Sequence, residues 1–418
     1  MLWGALVTST LAVEIPGAPQ SQPIALTGGK VFVGDGVIYE QATVLFSDGK
    51  IVAVGPELEV PEDAMRVDCA GKHVYPSLID SDCAIGLVEI SAIRSTRDIQ
   101  ETGPFNPNVQ ASVAFNPDSE AIPVTRANGV LLANVVPRGS LLVGQSSLMM
   151  LDGWNVNDMT VVPSVGVHVS WPRISDSADG DGENSDIVRL RELFEDARAY
   201  QQARSHIRET PENIRLEALG DLLAGRVPLF AHAEEAAQIQ SAVAFAAHEK
   251  LRLVIVGGYD APYCAALLKE HKVPVVVSAT QRLPQRRHDP YDAPFTLPAR
   301  LRDAGVDFCI AGSGQSDGSK VCNLPYHAGV AAAHGLTPAE ALSAITLNSA
   351  RILGAADRVG SLEAGKDATL FVADGDILEI PTQVEMAWVQ GRAVDLNNRH
   401  KRLWQKFKTR LDRQAQAN

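Results

Sequence analysis

Cysteine is scarce and unpaired in this sequence. Cys69, Cys83, Cys264, Cys309 and Cys322 are scattered over 418 residues without a Cys-x-x-Cys pair, so neither a zinc knuckle nor a disulfide framework is indicated and the thiols read as small buried groups. Long apolar runs are missing as well. None approaches the roughly 20 residues that a membrane-spanning helix needs. Positive charge is in deficit, the net charge being −13, which sets aside nucleic acid as the main partner because phosphate binding needs a basic surface. The polar run Gly144-Gln145-Ser146-Ser147-Leu148 is not a Gly-x-Ser-x-Gly elbow. Cys83 lies beside the Asp82 carboxylate, which raises a thiol pKa rather than lowering it. Serine or cysteine nucleophilic catalysis is therefore the weakest reading.

What is present begins with an ordinary globular balance, 45% hydrophobic and 21% charged, enough to fill a sizeable core. Met1 to Val13 has the apolar character of an export signal, with Thr10 and Ala12 as small residues before a cut, but no basic leader. With Pro16, Pro19 and Pro23 it makes residues 1–23 an export signal and linker, implying a periplasmic or secreted protein. Cytoplasmic residence is the alternative.

From Ile24 to Phe32, Ala42 to Phe46 and Lys50 to Pro56, short alternating strands are separated by Gly and Asp turns. Val74 to Asp80 is an apolar strand ending in a carboxylate. Downstream, strand-like runs recur at Val130–Val136, Val165–Val169, Val227–His232, Leu253–Gly258, Val273–Val277 and Val306–Ala311, with helical stretches between several of them. That alternation argues for a parallel sheet buried on both faces. Near the far end stand Val359-Gly360-Ser361-Leu362-Glu363-Ala364-Gly365-Lys366-Asp367-Ala368 and a last short strand, Met386–Arg392.

Over about residues 24–397 these features resemble the amidohydrolase superfamily, most closely its imidazolonepropionase-like members. The resemblance implies an α/β fold, a distorted (β/α)8 TIM barrel over 76–356. Residues 24–75 and 357–397 would combine into a composite β-sandwich. Residues 398–418 are expected to form a basic tail helix whose Leu403, Trp404 and Phe407 pack on the barrel, in preference to a lipid or nucleic-acid patch.

The same resemblance implies a metal-dependent hydrolase of C–N bonds. Family members hold one or two divalent metals through two histidines after the first strand, a carboxylated lysine or glutamate on the fourth, histidines on the fifth and sixth, and an aspartate on the eighth. Here the first pair maps onto Asp82 and Ala84. The eighth-strand aspartate maps near Gly314, with Asp317 the nearest acid, and the sixth-strand segment Val256–Asp260 has no imidazole. The fifth strand keeps His232, and His168 ends another apolar run. Asp80, Asp82, His168 and His232 are thus the donors available to a residual site for a single zinc, which commonly takes three protein ligands and a water. The polar loop 176–186 lacks the spacing of a calcium-binding loop and reads as solvated surface.

Gln145 and Ser146, Arg286 and Asp289, and Asn323 lie where a barrel places its site loops, and form the substrate-binding candidates. Arg286 with Asp289 would take a carboxylate-bearing ligand or lock its own loop. Two functions follow: a hydrolase with a rearranged metal site, or a non-catalytic relative that binds a small molecule or serves as a partner subunit. A small-molecule ligand is expected either way, with no nucleic acid and no membrane, and a homo-oligomer is compatible.

Overall fold

The computed structural model describes residues 15–139, 141–174, 184–206, 210–315 and 317–417. The export-signal reading of residues 1–14 and most of the 176–186 loop lie outside them.

The chain opens with strands β1 (Ile24–Phe32), β2 (Ile38–Ser47), β3 (Lys50–Gly55), β4 (Met65–Asp68) and β5 (His73–Pro76). Asp48 and Gly49, both at positive φ, turn β2 into β3 with Ser47 opposite Lys50. This is the two-residue hairpin that an Asp-Gly pair favours. The chain then builds β6 (Leu78–Cys83), β7 (Val130–Val135), β8 (Leu142–Met150), β9 (Thr160–Ser170), β10 (Leu229–Ala233), β11 (Leu253–Gly257), β12 (Val275–Ser278) and β13 (Phe308–Ala311). It returns as β14 (Leu370–Ala373), β15 (Val384–Val389) and β16 (Arg392–Ala393).

Two sheets result. One has the order β16-β15-β14-β5-β1-β2-β3, with β4 also on β1, so strands from both ends of the chain share it. Phe46 of β2 meets Trp388 of β15 edge-on at 5.7 Å in a core with Leu26, Val74 and Leu370. The Gly-Ser-Leu segment locks the seam. Asp367 accepts from Lys50 Nζ at 2.5 Å and from Arg358 Nη2 at 2.9 Å, and at Gly360, with φ 95°, a Cβ would come within 2.6 Å of that of Ala350.

The second sheet runs β6 through β13 in chain order. It nearly closes, because Cys309 of β13 donates to Ser81 Oγ of β6 at 3.3 Å and Ala84 N–H reaches the Gly314 carbonyl at 2.8 Å. Helices cover its outside. Ser185–His206, for example, buries Ile187, Leu190, Phe194 and Ala197 at helical spacing.

In two places the structure departs from the sequence reading. The Gln145–Ser146 segment is not a loop but the buried strand β8, antiparallel to both β7 and β9, so a barrel strand stands where a site loop was expected. Its polar residues hid it, and they are tolerated because they bond sideways: Gln145 donates to the Pro107 carbonyl at 2.8 Å and Ser147 to the Pro163 carbonyl at 2.7 Å. The second departure is the helix Arg399–Ala417. It forms, with Asn398 Oδ1 accepting from Lys401 N–H at 3.0 Å, but its apolar side stays exposed.

Candidate functional site

Alternation along β6 puts Asp80 and Asp82 on one face while Ile79, Ser81 and Cys83 take the other. Asp80 is fully buried. One of its oxygens accepts from the backbone N–H groups of Asp82 at 3.1 Å and Gly312 at 3.3 Å, while the other, Oδ2, has no partner. Burial pushes its pKa up to about 7, against the help of those two N–H donors.

Asp82 meets a cation. Arg138, just past β7, brings Nη2 to 2.8 Å from Asp82 Oδ1 and donates Nε–H to the Gln315 carbonyl at 2.9 Å. The first contact is an ion pair off the hydrogen-bonding direction, since neither atom completes a hydrogen bond.

The two histidines face the same interior. Parallel register sets His168 of β9 beside Phe230 of β10, and His232 beside Ser170. The His168 ring stacks on Phe230 at 4.5 Å and 5°, and its Nδ1 lies 3.0 Å from His232 Nε2. Burial drives His168 well below the usual imidazole range, with His232 and Arg138 adding to it. Burial likewise lowers His232 to about 4, opposed by Asp82 and aided by Arg138. Two neutral rings therefore share one proton along the His–His contact, and His168 Nε2 is left buried without a partner. His168 occupies the fourth strand of the barrel, the position the resemblance assigns to a lysine or glutamate.

The four metal candidates thus lie inside one barrel as two linked pairs, Asp80 with Asp82 and His168 with His232. Among the described residues, no three His, Cys, Asp or Glu side chains gather to hold a metal ion. Ala84 and Gly314, at or near which the resemblance maps two of the family's metal ligands, meet backbone to backbone. At Gly314 a Cβ would stand 2.5 Å from Val321 Cγ2, so no side chain fits there. Asp317 caps the turn Gly318–Asn323 by accepting from Ser319 N–H at 3.1 Å.

Of the substrate-binding candidates, Ser146 shares a strand face with Gly144, the register partner of His168, and its hydroxyl is buried without a partner. Gln145 faces away from it. Arg286 is engaged by Asp260 at 2.9 and 2.5 Å and by Asp289 at 3.2 Å, while the Tyr259 hydroxyl donates to Asp289 at 2.8 Å. Arg282 forms a matching fork on Glu234 at 2.7 and 3.2 Å. Both guanidinium groups lie over the Tyr259 ring. This network fastens the loop after β12 to the ends of β10 and β11, and occupies the donors of Arg286. Asn323 is half-buried at the start of the helix Leu324–Ala333.

Two residues were missed from sequence. Arg138 sat in a polar stretch between two apolar runs. His327, four residues past the candidate Asn323, is buried with Nδ1 accepting from Gln281 N–H at 3.2 Å and Nε2 3.4 Å from Ser313 Oγ, and burial lowers it to about 4. Gly314-Gln315-Ser316-Asp317-Gly318 also spells Gly-x-Ser-x-Gly. Ser316 lies outside the described residues.

A cavity of about 880 Å³ lined by Arg94, Arg97, Glu101 and Gly139 adjoins Arg138 in sequence. The cavity of about 850 Å³ lined by Val162, Val165, Arg252 and Lys272 is at the opposite, amino-terminal ends of the strands.

Comparison with known proteins adds the following. The amidohydrolase family model matches residues 318–395. An imidazolonepropionase of Maricaulis maris is 27% identical over 86% of this chain and 92% of its own length. The amidohydrolase tasK of Hapsidospora irregularis is 22% identical over 91% of this chain, which spans only 42% of that relative. The crystal structure of an amidohydrolase from Thermotoga maritima superimposes with a TM-score of 0.80 at 26% identity, covering 89% of this chain and 99% of that one.

Proposed function

The chain belongs to the amidohydrolase superfamily, and from that premise we propose that it binds a small polar molecule at the barrel mouth without the family's metal-driven hydrolysis. The observation that carries this reading is the Arg138–Asp82 pair at 2.8 Å. Asp82 stands where the first metal-binding histidine maps, and a guanidinium already supplies the positive charge beside it. The residues present do not fit a metal pair. Asp82 is neutralised by Arg138, His232 Nε2 is spent on His168 Nδ1, and the positions of Ala84 and Gly314 offer no donor. A divalent ion would have to displace a fixed cation in a low-dielectric interior, where like charges repel strongly.

The groups that remain suit recognition. Arg138, the protonatable Asp80 and the neutral histidine pair offer a cation, a carboxyl near its midpoint at neutral pH and a hydrogen-bonding imidazole. A ligand bearing a carboxylate, amide or imidazole-like ring would match them, with Arg138 fixing its anionic end. Buried polar atoms without partners, as at Asp80 Oδ2, Ser146 Oγ and His168 Nε2, are what a ligand or ordered water completes.

Those same orphaned atoms favour a second reading, a hydrolase of cyclic amides or small peptides with a single rearranged metal. Metal analysis of protein purified without chelator separates the two. The binding reading expects no stoichiometric zinc, manganese or iron and no turnover of cyclic amides or dipeptides. One tightly held ion per chain would overturn it in favour of the hydrolase.

A further inference from the structure

The helix Arg399–Ala417 spaces Leu403, Phe407 and Leu411 four residues apart, with Trp404 alongside, so all four share one face. They are 41, 51, 64 and 63% exposed. Seven Lys or Arg residues against the single Asp412 give this helix a charge of +6, in a chain of net −13. At about 100° per residue, Lys406 and Arg410 border one edge of the apolar stripe and Lys401 and Lys408 the other. The charge sign changes within one element: the remainder of the chain carries −19.

We propose that this helix docks on an anionic lipid bilayer, lying in the headgroup plane with Leu403, Trp404, Phe407 and Leu411 turned toward the acyl boundary. Charge complementarity selects that occupant. An apolar face bordered by cations on both edges, with Trp and Phe among its apolar residues, is the composition of an interfacial helix. No described helix is long and apolar enough to cross a membrane, so the contact is with the surface. A second copy fits less well. Pairing two such helices brings +6 against +6, and the two largest cavities described are rimmed by Arg94 and Arg97 or by Arg226, Arg252 and Arg351, which repel a basic helix. The acidic body is held off an anionic bilayer, while this basic helix, at +6, is drawn to it.

Co-sedimentation of the full chain with vesicles of phosphatidylcholine plus phosphatidylglycerol, against phosphatidylcholine alone, tests this. The expected result is binding to the anionic vesicles only, weakened by salt, and at least about tenfold weaker in the double variant Trp404→Glu/Phe407→Glu and in Lys406→Glu/Lys408→Glu. Both pairs are solvent-facing, so an unchanged urea midpoint certifies the fold. Failure to bind anionic vesicles, or equal binding by the Trp404→Glu/Phe407→Glu variant, would overturn the proposal. So would a dimer in solution that Phe407→Glu dissolves while vesicles go unbound, or binding to an oligonucleotide in place of lipid.

Discussion

Removing Arg138 leaves the Asp82 carboxylate, with 2% of its side chain exposed, facing the barrel interior without its cation. An unpaired buried charge is strongly destabilising, and because Arg138 is itself 21% exposed water relieves part of the loss. Arg138→Ala should therefore cost about 2 kcal/mol, read as a fall in the urea midpoint. The double variant Arg138→Met/Asp82→Asn should recover most of it, since neither side chain then carries a charge. No recovery would mean that the guanidinium acts mainly through its bond to the Gln315 carbonyl. At this scale, legibility followed position. Asp80, Asp82, His168 and His232 ended or punctuated apolar runs and could be placed inside the barrel from sequence. Arg138 and His327 could not, because nothing local distinguishes a cation that turns inward from one that faces water. Arg286 was legible as a charged loop residue with Asp289 beside it, but its second carboxylate partner, Asp260, comes from a distant segment and appears only in three dimensions.

Among the elements, the β8–β9 hairpin is the one that shapes the site, because β9 brings His168 against Phe230. Gly166 makes that approach fit. A Cβ there would strike the Phe230 ring and come within 2.6 Å of the Pro228 carbonyl. Gly166→Ala should cost about 1–3 kcal/mol by overpacking and displace the imidazole, which nuclear magnetic resonance of the His168 ring would register as a changed environment. Unaltered ring signals and stability would show that β10 can give way. The last helix behaves in the opposite manner. Phe407→Ala should shift stability by no more than about 0.5 kcal/mol, whereas a helix packed on the barrel would lose several times that. β8 escaped the sequence reading because Gly144-Gln145-Ser146-Ser147 breaks its apolar run, and a strand whose polar groups bond sideways looks like a loop. The other barrel strands carry longer apolar runs and were placed to within a few residues.

For the molecule as a whole, the buried titratable groups set the acid response. The depressed His168, His232 and His327 stay neutral when folded, while the unfolded chain protonates them below about pH 6.5. Between about pH 4 and 6.5 the unfolded state thus holds more protons on these rings, so their contribution to stability rises with pH and levels off above. Asp80 acts in reverse. Its pKa of about 7 exceeds the unfolded value, so its contribution is complete at low pH and is lost as pH rises through 7. Three groups against one give a net rise in the urea midpoint from pH 5 to pH 6.5, each group changing it by up to about 1.4 kcal/mol per pH unit. Asp80→Asn should steepen that rise, and a flat profile in the parent chain would show that the histidines take up protons without unfolding it. The barrel was readable from strand and helix alternation. The union of the two chain ends came from resemblance alone, since pairing across so long a separation leaves no periodicity to find.

That union has a consequence for how the protein is made. β5 pairs with β14 at Tyr75 opposite Phe371, so on the ribosome the β5 edge emerges long before its neighbour exists. At bacterial-to-eukaryotic elongation speeds the interval is on the order of 15 to 60 seconds. Throughout it, the nascent amino-terminal strands present an open border that is covered only once translation has passed Ala373.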